Sequence, residues 1–299
     1  MAAPATTADE WTGEGVSVSK IERELARLRT ASAEGGGTDL RTSVMTHVAW
    51  VPAEWREPAL ETLAGLAERH PSRTIVLLPD AESDADRLDA EVSLRCFPLH
   101  GQERHVCSEV IVLHLRGRMC RSPASIVQPL LITSLPFFLR WRGRPPFGDA
   151  PFEELVRIVD RFIVDSVEWP DVPEAYAELG DCFERTAVSD IAWSRTLPWR
   201  RALAERWPGI AEIRELRVAG PRADSALLAG WLRSRLERDV ELAHEEAERL
   251  ERVAVDGEEL DPPAAGPRDA SDLLSEELDR FGRDRIYEDA AGAAGEPMV

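Results

Sequence analysis

Two cysteines and two histidines lie close together in the sequence, and side chains of these types bind zinc. Cys96, His100, His105 and Cys107 form the pattern C-x3-H-x4-H-x-C. Thiolates and imidazoles suit tetrahedral zinc, but this spacing matches neither a zinc finger nor a zinc ribbon. Cys96 and Cys107 could instead form a redox-sensitive pair, because a turn between two strands brings the strand ends together. Two reduced thiols are the interpretation we prefer, and we predict no metal and no cofactor.

A second candidate is a segment rich in tryptophan and arginine, residues 190–207. These two residue types are concentrated at the energetic centres of protein interfaces, so the segment predicts a docking surface for a protein partner. The candidate interface residues here are Asp190, Trp193, Arg195, Trp199 and Arg200. The alternative is intramolecular: both tryptophans pack in the core, Asp190 caps a helix and Arg195 pairs with a carboxylate. For any single residue we prefer that alternative.

Two further pairs of side chains each follow a predicted strand. Asp165 and Ser166 follow one strand, and Trp141 and Arg142 follow another. Ligands of α/β proteins often bind at the carboxyl ends of strands, so all four residues are candidates for a partner interface. Asp165 and Ser166 can equally tie down a turn or cap the next helix, which is the interpretation we prefer.

The sequence lacks the motifs of common catalytic sites. Lys20 is the only lysine and asparagine is absent, which excludes a P-loop and a protein kinase. The sequence also has no GxSxG, HExxH, CxxC or GxGxxG pattern. The chain therefore lacks the parts of common catalytic sites, and we assign no catalytic residue.

The 299 residues carry a formal net charge of −19, and the charge is unevenly distributed. Residues 237–299 contribute −13, from 20 acidic and 7 arginine side chains. An acidic protein repels phosphates and anionic lipids, so we expect neither nucleic acid nor membrane as a partner. No apolar run is long enough to span a bilayer or to act as a signal core, which predicts a cytoplasmic protein with reduced cysteines.

The elements that must position these side chains follow a β/α pattern. Ser19 and Glu22 have the spacing of a capping box at the start of a first helix. Strands at 42–51 and 73–78 flank a helix at 54–69, which predicts a parallel pair, and strands at 89–97 and 109–115 predict an antiparallel pair. Later residues predict helices at 173–185, 189–207 and from 220, with strands at 162–164, 213–218, 240–243 and 250–255, the last two as a closing pair.

This pattern predicts an α/β protein in two parts. The first part has a mixed, mostly parallel sheet with flanking helices, and the second is a smaller α/β domain. The expected divisions are a disordered tail at 1–16, an N-terminal domain at 17–170, a C-terminal domain at 171–256, and an acidic linker with short docking helices at 257–299.

Several segments, taken in order, resemble the glucose-6-phosphate dehydrogenase assembly protein family, OpcA. They begin with SVSKIERELARL, RTSVMTHVAWVP, HPSRTIVLLPD and VCSEVIVL. They continue with PLLITSLPFFLRWRGRPPF, FIVDS, VSDIAWSRTLPWRRALAERW and LRVAGPRADSALLAGWLRSRL. The resemblance covers most of residues 17–290, and its specificity comes from the number and order of the segments.

The resemblance implies a non-catalytic accessory protein that helps glucose-6-phosphate dehydrogenase assemble or become active in the oxidative pentose phosphate pathway. The dehydrogenase is then the expected partner. From the residues alone, a sugar-phosphate-binding protein or a small-molecule enzyme remains the alternative, with Arg140, Arg142 and Arg195 holding the anion.

Overall fold

The structure is a computed structural model that describes residues 6–34, 43–66, 69–98, 105–261, 266 and 268–295. The chain divides into two compact units, Met1–Phe162 and Ile163–Val299. This division falls a few residues before the domain boundary that the sequence predicts after residue 170. Among the described residues, none of the helices combines the length and the hydropathy that crossing a bilayer requires.

Unit 1 is built from strands and helices that alternate along most of its length. Its elements are β1 (Thr6–Gly13), α1 (Val18–Glu34), β2 (Thr46–Trp50), α2 (Arg56–Leu66), β3 (Arg73–Asp80), β4 (Leu88–Pro98), β5 (His105–Arg116), α3 (Pro123–Val127), β6 (Phe137–Trp141), α4 (Ala150–Val156) and β7 (Arg161–Val164), which crosses the boundary.

Unit 2 contains a higher proportion of helix. Its elements are α5 (Val172–Phe183), β8 (Ala187–Asp190), α6 (Ile191–Ala204), β9 (Glu215–Gly220), α7 (Arg222–Leu236), β10 (Glu241–Glu246), β11 (Arg252–Val255), β12 (Glu258–Glu259), α8 (Ala270–Leu278) and α9 (Arg285–Gly295). The last two helices confirm the pair of short helices that the sequence predicts after the acidic linker.

The larger sheet has eight strands in the order β1-β4-β5-β3-β2-β6-β7-β8. Strands β5, β3, β2 and β6 pair in parallel, whereas β1, β4 and β5 pair antiparallel. Central parallel strands are covered on both faces, which is why β3 contains the continuous apolar run IVLL rather than an alternating pattern. The predicted mixed, mostly parallel α/β sheet is confirmed.

The smaller sheet has four strands in the order β10-β9-β11-β12. Its core contains Leu216 and Val218 of β9 and Val253 of β11, packed with Leu228 and Leu232 of α7. Strands β10 and β11 do not pair with each other, so the predicted closing pair is wrong: both pair with β9, on its two sides. The sequence shows which segments are extended but not which edges they share.

Three local predictions are wrong. The supposedly disordered tail contains β1, which pairs with β4 and sets Trp11 opposite Val92. The predicted helix at 189–207 begins later, because 187–190 form the short strand β8. The cap of α1 is Ser17, whose hydroxyl accepts from the backbone N–H of Lys20, and the carboxylate of Glu22 instead accepts from Arg73.

Candidate functional site

Three aspartates of unit 2 lie at or just after the carboxyl ends of strands. Asp165 follows β7, Asp190 is the last residue of β8, and Asp224 lies in the first turn of α7, just after β9. Polar groups at strand ends are the usual starting point for a site in an α/β protein. The side chain that joins two of these carboxylates is Arg195 of α6.

Arg195 forms ion pairs with carboxylates of its own unit. Its two terminal nitrogens donate to the two oxygens of Asp165 at 3.0 and 2.6 Å, which is a bidentate pair. Its Nε lies 3.4 Å from Asp224. Burial opposes the charge on Arg195, but these two carboxylates outweigh it and hold its pKa above the usual value. Burial also raises the pKa of Asp224 to about 6, although Arg195 opposes that rise.

Asp190 is fully buried and holds the start of α6. Its Oδ1 accepts from the backbone N–H groups of Ala192 at 2.9 Å and Ser166 at 3.1 Å. Its Oδ2 accepts from the hydroxyls of Tyr176 and Tyr287, each at 3.4 Å. Burial, together with the charge of Asp165, raises the pKa of Asp190 to about 7. The helix-capping role expected for Asp190 is confirmed.

Ser166, predicted as an interface candidate beside Asp165, is fully buried as well. Its hydroxyl lies 2.6 Å from the hydroxyl of Tyr176, so it belongs to the same hydrogen-bonded cluster as Asp190. The cluster has no exposed nucleophile, and neither Ser166 nor Asp190 lines the cavities described below. Its geometry supports a structural role.

The two tryptophans of α6 are core residues. Trp193 is 3% exposed and its Nε1 donates to Asp284 at 3.0 Å, and Trp199 is 5% exposed within the core of the smaller sheet. The guanidinium of Arg200 lies over the ring of Trp193, 3.2 Å from its centroid, and burial lowers the pKa of Arg200 to about 10. The core packing expected for Trp193 and Trp199 is confirmed, and Arg200 is half-buried against Trp193.

Trp141 and Arg142, the candidates in unit 1, are also engaged within their unit. Trp141 is 4% exposed and stacks on Trp50, with 4.6 Å between ring centroids. Arg142 lies over the ring of Trp55, with its guanidinium carbon 4.7 Å from the centroid. Both residues therefore contact tryptophan rings near the carboxyl ends of β2 and β6.

Cys96 and Cys107 are joined by a disulfide. They lie directly opposite each other on β4 and β5, with their Cα atoms 4.1 Å apart. The preferred interpretation of two reduced thiols is therefore wrong, and the disulfide leaves no thiolate at either position for zinc. His100 and the side chain of His105 lie outside the described residues, and within the described ranges no three metal-binding side chains cluster.

One accessible feature of unit 2 is a groove lined by residues of α6, which we call the α6 groove. It consists of a cavity of about 420 Å³ and a neighbouring cavity of about 720 Å³. Pro198, Gly266 and Arg268 line both cavities and so join them. The first cavity also contacts Arg195, Trp199 and Leu250, and the second contacts Arg201 and Arg280. Neighbouring turns and α8 complete the groove, so its shape depends on residues far from α6 in sequence.

Most charges in the α6 groove are neutralised within the unit. Arg268 pairs with Glu276 at 2.9 Å, and Arg280 with Glu277 at 3.3 Å. Arg249 lies 3.6 Å from Glu251, and Arg195 is held by the aspartates. Among the described residues, Arg201 and Glu248 have no ion-pair partner. Arg201 lines only the larger cavity and Glu248 only the smaller one, so each cavity contains one such charge, a cation in the larger and an anion in the smaller.

The tryptophan that is exposed is Trp207, just beyond the end of α6. It is 67% exposed, and the neighbouring Arg206 pairs with Glu258 at 2.6 Å. A large aromatic ring in solvent is a favourable anchor for a protein interface. The sequence places Trp207 in the tryptophan-rich segment, but it carries no signal that separates this residue from the buried Trp193 and Trp199.

Two profiles of one protein family match successive parts of the chain. Residues 64–181 match the family described as glucose-6-phosphate dehydrogenase subunit N-terminal domain. Residues 186–266 match the corresponding C-terminal domain. Together the matches include β3 to β11 and therefore most of the α6 groove.

Three curated cyanobacterial relatives, each provisionally named OxPP cycle protein OpcA, are similar to this chain. The protein of Nostoc punctiforme is 31% identical over 184 residues, which is 58% of this chain and 39% of the relative. That of Synechocystis sp. is 27% identical over 184 residues, 58% of this chain and 38% of the relative. That of Synechococcus elongatus is 27% identical over 183 residues, 57% of this chain and 41% of the relative.

The chain thus spans about two fifths of the length of the relatives that it matches. The two domain profiles occur in their N-to-C-terminal order, and the relatives carry the family's name. The protein therefore belongs to the OpcA family of glucose-6-phosphate dehydrogenase assembly proteins.

Proposed function

We propose that this protein binds glucose-6-phosphate dehydrogenase and helps it to assemble or become active, without catalysing a reaction itself. The observation that carries the proposal is the tandem match to the two domains of the dehydrogenase assembly family. The geometry is compatible with it, because the polar cluster around Asp190 is buried and the described residues that line the α6 groove include no serine, threonine, cysteine or histidine. The cytoplasmic location predicted from the sequence forms part of the same proposal.

A protein that only binds can activate an enzyme by favouring one of its states. The protein must then bind the active form of the dehydrogenase more tightly than the inactive form. Mixing the two purified proteins should raise the rate of NADPH formation at limiting substrate, or shift the dehydrogenase to another oligomeric state in light-scattering measurements. Unchanged activity, substrate affinity and oligomeric state at micromolar concentrations of both proteins would refute the proposal.

Trp207 is the residue that we propose as an anchor in this interface. Removing an anchoring tryptophan typically costs about 2 kcal/mol or more of binding free energy, which is about a thirtyfold loss of affinity. Trp207→Ala should therefore weaken binding by about thirtyfold, measured by biolayer interferometry. Ile286→Ala, a matched truncation of another exposed apolar residue of unit 2, serves as the control. Equal affinities for the two variants would exclude Trp207 as an anchor.

Sugar-phosphate binding, the alternative that the sequence left open, gains no support from the arginines on which it rests. Arg140 is 3% exposed and donates to the backbone carbonyl of Trp141. Arg142 stacks on Trp55, and Arg195 is neutralised by Asp165 and Asp224.

A further inference from the structure

We propose that the α6 groove binds an extended segment of the partner that places an acidic side chain in the larger cavity and a basic and an apolar side chain in the smaller cavity. This inference rests on the proposed function for the identity of the partner, the dehydrogenase. It adds the chemistry of the contact, which is derived from the charges and the lining of the groove.

The length of the groove fits a short extended segment. Arg195 lines the smaller cavity, Pro198 lines both and Arg201 lines the larger one, so the groove follows the axis of α6. At 1.5 Å per residue, the distance along the helix from residue 195 to residue 201 is about 9 Å. An extended chain covers about 3.3 Å per residue, so about three to four residues span the same distance.

The smaller cavity of the groove, which also contains Glu248, has an apolar wall. Pro198 and Trp199 of α6 line it, together with Leu250 and Leu273 from segments later in the chain. Trp199 and Leu273 belong to the rigid interior, at 5% and 7% exposed, so this part of the groove is preformed. An apolar side chain of the partner would be removed from water there by packing against these apolar side chains.

The two unpaired charges determine which charges the segment must carry. Glu248 in the smaller cavity favours a basic side chain, and Arg201 in the larger cavity favours an acidic one. Both residues are exposed, so a charge of opposite sign on the partner can reach them. Such contacts raise the rate and the selectivity of association. The pairing of the other groove arginines with carboxylates excludes a small phosphate ligand, which needs several free donors around one anion.

The test measures the affinity of the full-length protein for purified dehydrogenase, using two charge reversals of opposite sign. If the groove binds a segment that carries one charge of each sign, Arg201→Glu and Glu248→Arg should each weaken binding by about tenfold. If the acidic protein attracts or repels its partner only through net charge, the two variants should shift affinity in opposite directions, and that result would overturn the proposal. Weaker binding of only one variant, or of neither, would overturn the proposal as well.

Matched controls separate the groove from general effects. Arg285→Glu and Glu212→Arg make the same charge changes at exposed positions outside the groove and should change affinity less than twofold. Arg201→Gln tests the same contact without placing a negative charge in the last turn of α6. Failure of the wild-type protein to bind would refute the proposed function, whereas wild-type binding that both groove variants retain would refute this inference alone.

Discussion

Replacing Asp190 by asparagine should make the protein more stable above neutral pH. Oδ1 of Asp190 accepts two backbone N–H groups, and Oδ2 meets the hydroxyls of Tyr176 and Tyr287. Asparagine keeps the accepting oxygen in place and puts an NH2 group where Oδ2 lies, close to the two tyrosine oxygens. The variant therefore resembles the protonated form of Asp190 and removes only its ability to ionise.

The size of the effect follows from the pKa of Asp190, which burial and the charge of Asp165 raise from 3.8 to about 7. A carboxyl whose pKa is raised in the native state holds a proton there that the unfolded chain has already released. The native state is then destabilised progressively as the pH rises from about 4 to about 7, by about 1.4 kcal/mol per pH unit. Between pH 5.5 and pH 8.5 the wild type should lose about 2 kcal/mol of stability that Asp190→Asn retains.

The assay is urea denaturation of both proteins at several pH values above 5.5, which avoids the sequence pI of about 4.8. The difference in unfolding free energy between variant and wild type should rise with pH and level off above pH 7. Asp181→Asn removes a negative charge from an exposed position of α5 and should give a difference that does not vary with pH. A constant difference for Asp190→Asn, or one that falls with pH, would show that Asp190 is ionised throughout and would refute the reasoning.

Three further predictions concern stability and covalent structure. Arg195→Lys loses the bidentate contact with Asp165 and should lower the unfolding free energy by about 2 kcal/mol in urea denaturation, and an unchanged midpoint would show that the ion pair adds nothing. Gly230→Ala puts a Cβ against the backbone of α9 and should cost about 1 to 3 kcal/mol, with faster proteolysis of α9, whereas Gly180→Ala enters open space on α5 and should stabilise by about 0.5 to 1 kcal/mol. Alkylation of the denatured protein should modify two cysteines without reductant and four with it, and four in both cases would contradict the disulfide.

The sequence predicts much of the fold because hydrophobic periodicity is a local signal. Parallel strands such as β3 stand out as short apolar runs, and the β2–α2–β3 order allows one handedness of crossover. The errors occur where the structure depends on pairing between strands that are far apart in the sequence. Strand β1 has the mostly polar sequence TTADEWTG and pairs with β4, and β8 has only four residues before α6 begins.

The candidate site is harder to predict because tryptophans that lie close together in the sequence are buried in one case and exposed in another. Of the tryptophans between 190 and 207, two are buried and Trp207 is exposed, and no local property of the sequence separates them. The disulfide depends on the register that sets Cys96 opposite Cys107, since a shift of one residue would turn the two side chains to opposite faces of the sheet. The α6 groove is formed by turns and helices distant in sequence, so no contiguous motif encodes it.

The arginines of α6 show why an exposed arginine is a better test of partner binding than a buried one. Successive residues of a helix point about 100° apart, so Arg195, Arg200 and Arg201 have different surroundings although they lie within seven positions. Arg195 faces the carboxylates at the strand ends, and Arg200 lies over the ring of Trp193. A substitution at either would disturb the fold and would reduce binding whether or not a partner touches that side chain. Arg201 lies in the groove with no ion-pair partner among the described residues, so a loss of affinity at this position, with stability unchanged, would report contact with the partner itself.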